Sequence, residues 1–207
     1  MSLPKSDSKS FDSGKVKNHL SCLVSHVAAQ LRASSFVTII HAGSSDYLRF
    51  LHDLIISLLV NRRQVHIFDF RRRIKLVYLQ QALRKTTSLE IAQKHLNFQV
   101  ILNEDHSLKE YRRLHGQTPS SQTPPVLLLI DPSGLFSRIK RGVKQASSVL
   151  QMQYEAAQLL AEQGYAVVLC DAGDRSFHRV GLLVPAQLTK VSTLILQFLP
   201  GRILINY

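Results

Sequence analysis

The sequence predicts an α/β protein with a mainly parallel central sheet, flanked by helices and completed by a C-terminal antiparallel hairpin. Short aliphatic and β-branched runs alternate with longer segments whose apolar residues recur every three or four positions. Such alternation of strand and helix favours parallel pairing. The last two β-rich runs, within residues 192–207, are joined by Pro200-Gly201, which is a hairpin signal.

The N-terminal third begins with a polar stretch. Residues 1–15 are rich in serine and lysine, and we expect a disordered tail there, followed by a single domain over residues 16–207. Apolar residues spaced from Leu20 to Leu31 predict a first helix. The run "SFVTIIH" predicts a buried strand, and the periodic apolar residues from Tyr47 to Leu59 predict an amphipathic helix after it.

The middle of the chain continues the alternation. Residues Gln64–Phe70 predict a strand, the segment "RRRIKLVYLQQALRK" predicts a helix, and Asn97–Leu102 predict a short strand. Between residues 103 and 125 the apolar pattern is lost and "HGQTPSSQTPP" occurs, so we expect a mobile loop near 103–125.

The C-terminal half supplies two further parallel strands. The continuous apolar run "VLLLID" ends at Asp131, and "GYAVVLCDAG" forms the next strand. Between these two strands, the apolar residues within Gln145–Gln163 recur at helical spacing, which predicts a long helix.

Composition limits the function. The chain of 207 residues has 26 Lys and Arg against 14 Asp and Glu, a net charge of +12, which is typical of a nucleic-acid binder. An acidic protein partner or an anionic membrane surface would also fit this charge. Apolar runs are shorter than the ~18–20 residues that span a bilayer, so we expect no membrane segment.

Cysteine and histidine usage gives little sign of a metal. Cys22 and Cys170 both lie in apolar contexts, which predicts buried thiols in a reducing, intracellular compartment. The histidines lack the spacing of a zinc motif. We expect neither a metal nor a cofactor.

The order of these parts resembles the core of the RecA/recombinase family of P-loop ATPases, and in particular its short paralogues of the Shu type. A strand, glycine turn and helix come first, a strand ending in an acid ("VHIFDF") second, and a Walker B-like strand ("VLLLID") later. The resemblance implies a RecA-like fold over most of residues 35–207. It also implies a nuclear accessory subunit that joins another recombinase paralogue as a heterodimer, and that contacts the recombinase itself.

The nucleotide site of such a family is degenerate here. A phosphate loop needs a second glycine and a lysine, whose amides and charge hold the phosphates, but "GSSD" follows the first strand. The remnants are Gly43, Ser44, Ser45 and Asp131. We therefore expect no ATP hydrolysis and no catalytic residues. Asp131 either organises a metal or, more simply, caps the turn "DPSG".

Basic clusters mark the expected DNA surface. One pair, Arg62-Arg63, precedes the second strand. By resemblance, the loops after "VLLLID" and "VVLCDAG" approach DNA, and each contains an aromatic residue among arginines, the composition that stacks bases and neutralises phosphates. The predicted DNA-binding residues lie in these two loops and in the segment that follows the strand "VHIFD". They are Arg71, Arg72, Arg73, Lys75, Phe136, Arg138, Lys140, Arg141, Lys144, Arg175, Phe177, His178 and Arg179.

Three functions remain open from the sequence. The first is a non-catalytic subunit that binds single-stranded or forked DNA in homologous recombination and repair. The second is a small nucleotide-binding enzyme with an atypical phosphate turn at Gly43–Asp46. The third is a purely structural module for an acidic protein.

Overall fold

The structure is a computed structural model of the 207-residue chain. It describes residues 9–12, 16–42, 45–86, 89–119, 123–138, 143–172, 186–200 and 202–207.

Eight strands form one sheet in this part of the chain. They are β1 (Lys9–Asp12), β2 (Phe36–His41), β3 (Val65–Asp69), β4 (Leu96–Val100), β5 (Val126–Ile130), β6 (Ala166–Ala172), β7 (Leu194–Leu199) and β8 (Arg202–Asn206). Their order across the sheet is β1-β8-β7-β2-β6-β5-β3-β4. The strands from β7 to β4 in this order are all parallel, whereas β8 pairs antiparallel with both β7 and β1.

The connecting helices cover both faces of the sheet. They are α1 (Val16–Gln30), α2 (Ser45–Val60), α3 (Leu76–Thr86), α4 (Leu89–His95), α5 (Glu104–His115), a 3-10 helix (Pro132–Arg138), α6 (Val143–Glu162) and α7 (Ala186–Val191).

Alternate residues of the central strands supply two cores. Val37 and Ile39 of β2 face α1 and α2, whereas Leu127 and Leu129 of β5 face α5 and α6. Strands buried on both faces read as continuous apolar runs, which is why the sequence signal for them is strong. The predicted α/β class, the mainly parallel sheet and the closing antiparallel hairpin are confirmed. The arrangement is consistent with the RecA-like fold that the resemblance implies.

Two segments differ from the sequence expectation. Lys9–Asp12, within the expected disordered tail, forms β1 against the outer edge of β8. Residues 104–115, within the expected mobile loop, form α5, and the Asn103 side chain caps its start by accepting a hydrogen bond from the His106 amide. The buried face of α5 combines Ser107 and Glu110 with Tyr111 and Leu114, and the helix is polar overall, which is why this stretch resembles a loop in sequence.

Smaller differences concern a helix start and a thiol. The helix expected from Arg71 onward begins at Leu76, because residues 70–75 form a fixed loop that is described below. Cys170 is buried as predicted, but Cys22 is exposed on α1, so the prediction for that thiol is wrong. No helix among the described residues is long and apolar enough to cross a membrane.

Candidate nucleic-acid interface

The loop between β3 and α3 holds several of the predicted basic residues. Its backbone is fixed by Asp69, a buried residue at the end of β3. The Asp69 carboxylate accepts hydrogen bonds from the amides of Arg71, at 3.1 Å, and Ile74, at 2.8 Å. Phe70 and Ile74 are buried in the two opposite cores. The loop is therefore anchored at both ends.

The charged side chains of this loop point outward between the anchors. Arg71, Arg72 and Lys75 are exposed, and Arg73 is partly exposed. Arg72 adopts a left-handed backbone conformation with φ of 57°, which is uncommon outside glycine. No ion pair joins Arg71, Arg72 or Lys75 to another residue of the described part. Three cations are thus presented to solvent on a loop whose backbone is held by hydrogen bonds.

Asp131, directly after β5, has a cationic or imidazole partner on each carboxylate oxygen. Nε2 of His41 donates to Oδ1 at 2.7 Å, and Nε of Arg73 donates to Oδ2 at 2.7 Å. Asp131 is fully buried, and its φ of 53° lies in the left-handed region that aspartate tolerates better than most residues. The "DPSG" turn is closed by the Asp131 backbone carbonyl, which accepts from the Gly134 amide at 2.8 Å. The expected side-chain cap is therefore replaced by a backbone bond.

These partners determine the charge of Asp131. Burial alone would raise the pKa of its carboxyl, but the hydrogen bonds and charges of His41 and Arg73 outweigh burial and hold the pKa below its usual range. The carboxylate is ionised and its oxygens are already engaged. The role of metal-organising acid, which the sequence left open for Asp131, would require this network to be taken apart.

A second buried carboxylate, Asp171, lies next to it in β6. Its Oδ1 accepts from Ser133 Oγ at 2.5 Å, and its Oδ2 accepts from the Tyr154 hydroxyl at 3.2 Å. These bonds join the 3-10 helix after β5 and helix α6 to the end of β6. Burial raises the pKa of Asp171 to about 6; the Ser133 hydrogen bond opposes that shift, and the nearby Asp131 charge adds to it. Asp171 therefore acts as a structural junction between three elements.

The exits of β3 and β5 come into side-chain contact. Asp69 pairs with Ile130 in the parallel ladder, so the two loops leave the sheet side by side. The Arg71 side chain lies flat on Gly134 of the 3-10 helix, where an added Cβ would come within 2.4 Å of Arg71 Cγ. Arg73 reaches Asp131 from the same loop. Gly134 and Asp131 thereby position two of the predicted basic residues.

The predicted clusters follow neighbouring strands. Because β3 and β5 are adjacent and parallel, the described residues after these two strands lie at the same carboxyl edge of the sheet, where open α/β sheets bind ligands. Phe136 and Arg138 belong to the 3-10 helix and Lys144 to α6. Six predicted DNA-binding residues lie outside the described residues, namely Lys140, Arg141, Arg175, Phe177, His178 and Arg179. Two of the nucleotide-site remnants, Gly43 and Ser44, also lie outside them.

The Arg62-Arg63 pair lies at the opposite, amino edge of β3. The Arg63 guanidinium donates to the Pro124 carbonyl at 2.7 and 3.1 Å and to the Leu31 carbonyl at 3.1 Å. Burial lowers the pKa of Arg63. The Arg63 side chain thus connects the start of β3 to the backbone at Leu31 and at Pro124, whereas Arg62 is exposed.

Sequence reasoning missed His41 and Tyr78 as functional candidates. His41 ends β2 and reaches Asp131 across the end of β6, and its ring stacks on Tyr47 with centroids 3.8 Å apart. The available signal was its position at a strand end, where side chains from neighbouring parallel strands converge. Tyr78 lies in the first turn of α3, within an apolar stretch whose pattern predicts a helix but does not show which of its residues are exposed.

Comparisons with known proteins add no family. A scan against models of protein families matches none of them, and a search of curated proteins gives no significant match. In the described ranges, no group of three or more His, Cys, Asp or Glu side chains is arranged to hold a metal ion. The geometry itself consists of a basic, outward-facing loop beside a closed network of buried charges, which suits binding an anion at the surface better than chemistry within the cluster.

Proposed function

We propose that this chain is a non-catalytic, DNA-binding accessory subunit of a recombinase-paralogue complex that acts in homologous recombination and DNA repair in the nucleus. The observation that carries the proposal is the loop of residues 70–75. It presents Arg71, Arg72 and Lys75 to solvent at the carboxyl edge of a mainly parallel sheet. Arginine and lysine that neutralise phosphates give binding that depends on salt and little on sequence.

The absence of catalysis in this proposal rests on two features. The first turn carries no lysine to neutralise a nucleotide's phosphates. Asp131, at the position of a Walker B acid, is ionised but engaged by His41 and Arg73. Robust ATP hydrolysis that is abolished by Asp131→Asn would contradict the proposal and favour a nucleotide-binding enzyme instead.

The proposed protein partner is another recombinase paralogue. The apolar face of α1 is buried within the chain, where Leu20, Val24 and Val27 pack in the core under α1 and α2. The outer edge of β8 is covered by β1. A partner would therefore use other surfaces than the first helix's apolar face and the hairpin edge. A stable monomer at micromolar concentration in light scattering would count against an obligate heterodimer.

The DNA-binding proposal is tested by fluorescence anisotropy of a labelled oligonucleotide across a salt series. Arg71→Ala combined with Arg72→Ala should weaken binding. It should also reduce the slope of log K against log salt by roughly 1 to 1.5, because each phosphate contact of a single strand contributes about 0.7.

Arg62→Ala is the matched control for this experiment. Arg62 is also exposed, and its φ of 55° is close to the 57° of Arg72. Arg62 lies before β3, however, whereas Arg72 lies after it. The substitution removes the same charge from the same left-handed backbone conformation at the other edge of the sheet. Equal losses in Arg62→Ala and Arg72→Ala would show that net charge, not this loop, governs binding, and would remove the site.

A further inference from the structure

An exposed apolar run follows the basic loop directly. Leu76, Val77 and Tyr78, the first three residues of α3, are 41%, 66% and 46% exposed. Single exposed apolar residues are ordinary on protein surfaces. A run of three consecutive exposed apolar residues is unfavourable in water and indicates a functional surface. In the described part of the chain, these are the only consecutive residues among the exposed large hydrophobic side chains.

The Tyr78 ring is supported on one side and open on the other. It meets the ring of His52 edge to face, with centroids 5.1 Å apart and an interplanar angle of 79°. His52 is itself fixed, because its Nδ1–H donates to the Leu48 carbonyl at 2.6 Å and its Nε2 accepts from the Lys75 amide at 3.2 Å. One buried histidine thus orients both the aromatic ring and the backbone of a basic residue.

Basic residues directly precede this ring in the chain. Lys75 lies three residues before Tyr78, one turn of helix away, and the loop that carries Arg71 and Arg72 leads into it. The first turn of α3 contains no acidic residue that would repel a phosphate. An aromatic face beside Arg and Lys is the combination by which proteins bind a single nucleic-acid strand, with bases on the ring and phosphates on the cations.

We propose that Tyr78 is the base-stacking residue of the site formed by Arg71, Arg72 and Lys75, and that this ring is what makes the site bind a single strand in preference to a duplex. This inference rests on the proposed DNA-binding function and specifies its ligand. A side-chain ring reaches a base face only where the base is unstacked, as in a single strand or at the open arm of a fork. The His52 contact holds the ring in place before the strand binds.

The test compares anisotropy titrations of oligo(dT) and a duplex of equal length with the full chain. Tyr78→Leu and Tyr78→Ala should each weaken oligo(dT) binding about 10-fold. Neither should change the weaker duplex binding. Tyr78→Phe should retain the affinity, because it keeps the aromatic face. Since the chain has 6 Tyr and no Trp, oligo(dT) should quench tyrosine fluorescence in the wild type and less so in Tyr78→Phe.

Controls separate this inference from the function beneath it. Tyr207→Ala removes another exposed tyrosine, which is 76% exposed and contacts His26, and it should leave binding unchanged. If Arg71→Ala with Arg72→Ala weakens binding but Tyr78→Leu does not, the stacking role fails and the DNA-binding function stands. If neither DNA form binds at all, both fail.

The run of Leu76 to Tyr78 also has the composition of a protein-docking patch, and the same variants distinguish that outcome. Tyr78→Leu keeps the apolar surface and removes the aromatic ring, so docking would tolerate it while stacking would not. Retained oligo(dT) binding in Tyr78→Leu, together with loss of self-association in Tyr78→Ala by light scattering, would overturn the proposal.

Discussion

His41 and Asp131 are joined by a hydrogen bond of 2.7 Å, although they end strands that β6 separates in the sheet. The bond crosses the end of β6 at the carboxyl edge of the sheet. With Arg73 on the other carboxylate oxygen, it makes Asp131 part of the protein's own scaffold. Both oxygens of this carboxylate are therefore engaged within the protein.

Asp131→Asn should lower the free energy of unfolding by about 1–3 kcal/mol, because two hydrogen bonds from charged or polar partners are weakened. The loss stays in this range because Arg73 is 36% exposed and can turn toward water. Urea unfolding measures it. Asp53→Asn, which removes only the exposed Arg49–Asp53 pair, serves as control and should change stability by about 0.5 kcal/mol or less. A more stable Asp131→Asn protein would indicate a strained functional carboxylate instead.

Asp171→Asn should change how stability depends on pH. The pKa of Asp171 is raised to about 6 from 3.8, so its protonated form favours the folded state. That stabilisation is complete below about pH 4 and is lost as pH rises through 6, by about 3 kcal/mol in total. Urea unfolding at pH 4 and pH 7 measures this effect. The free energy of unfolding of the variant, relative to that of the wild type, should be about 3 kcal/mol higher at pH 7 than at pH 4. An unchanged difference would mean that Asp171 is ionised at pH 4.

His66→Gln should show the opposite trend. Burial, helped by the Arg113 charge, lowers the pKa of His66 to about 4 from 6.5, so its neutral form favours the folded state. That stabilisation is complete above about pH 6.5 and is lost as pH falls through 4, again by about 3 kcal/mol. The wild type should therefore lose stability relative to the variant on acidification. If the difference in free energy of unfolding between the wild type and His66→Gln did not change with pH, the lowered pKa of His66 would be contradicted.

The two titrations overlap and oppose each other between about pH 4 and 6. The wild type should consequently show a flatter pH dependence of unfolding in that window than either single variant. This cancellation explains why each variant must be compared with the wild type at both pH values.

Gly134→Ala should weaken DNA binding by a few fold and lower the free energy of unfolding by about 1 kcal/mol. The new Cβ would come 2.4 Å from Arg71 Cγ, an atom close to the backbone, so the whole Arg71 side chain must turn away from its present position. Anisotropy and urea unfolding together separate the two effects. In Gly116→Ala, the matched control, the Cβ meets only ordinary contacts at 3.7 and 3.8 Å. Unchanged binding in Gly134→Ala would mean that the orientation of Arg71 does not matter.

The α/β class and the parallel strands follow from the amino-acid sequence alone, because strands buried on both faces read as unbroken apolar runs such as "VLLLI". The sequence also shows that the turn at "GSSD" lacks the lysine and second glycine of a phosphate loop, and that basic residues follow the strand ends. The sequence did not reveal α5, because this helix is polar overall and only two of its buried residues, Tyr111 and Leu114, are hydrophobic.

Which charged residues are exposed and which are engaged depends on the tertiary structure. Arg63, Arg72 and Arg73 all lie in short basic runs of the sequence. In the structure, Arg63 donates to backbone carbonyls, Arg73 pairs with Asp131, and Arg72 is exposed to solvent. Those roles depend on contacts between segments that are distant in the chain, such as His41 with Asp131. Local pattern carries no information about such contacts, because they form only when neighbouring strands bring their ends to one edge of the sheet.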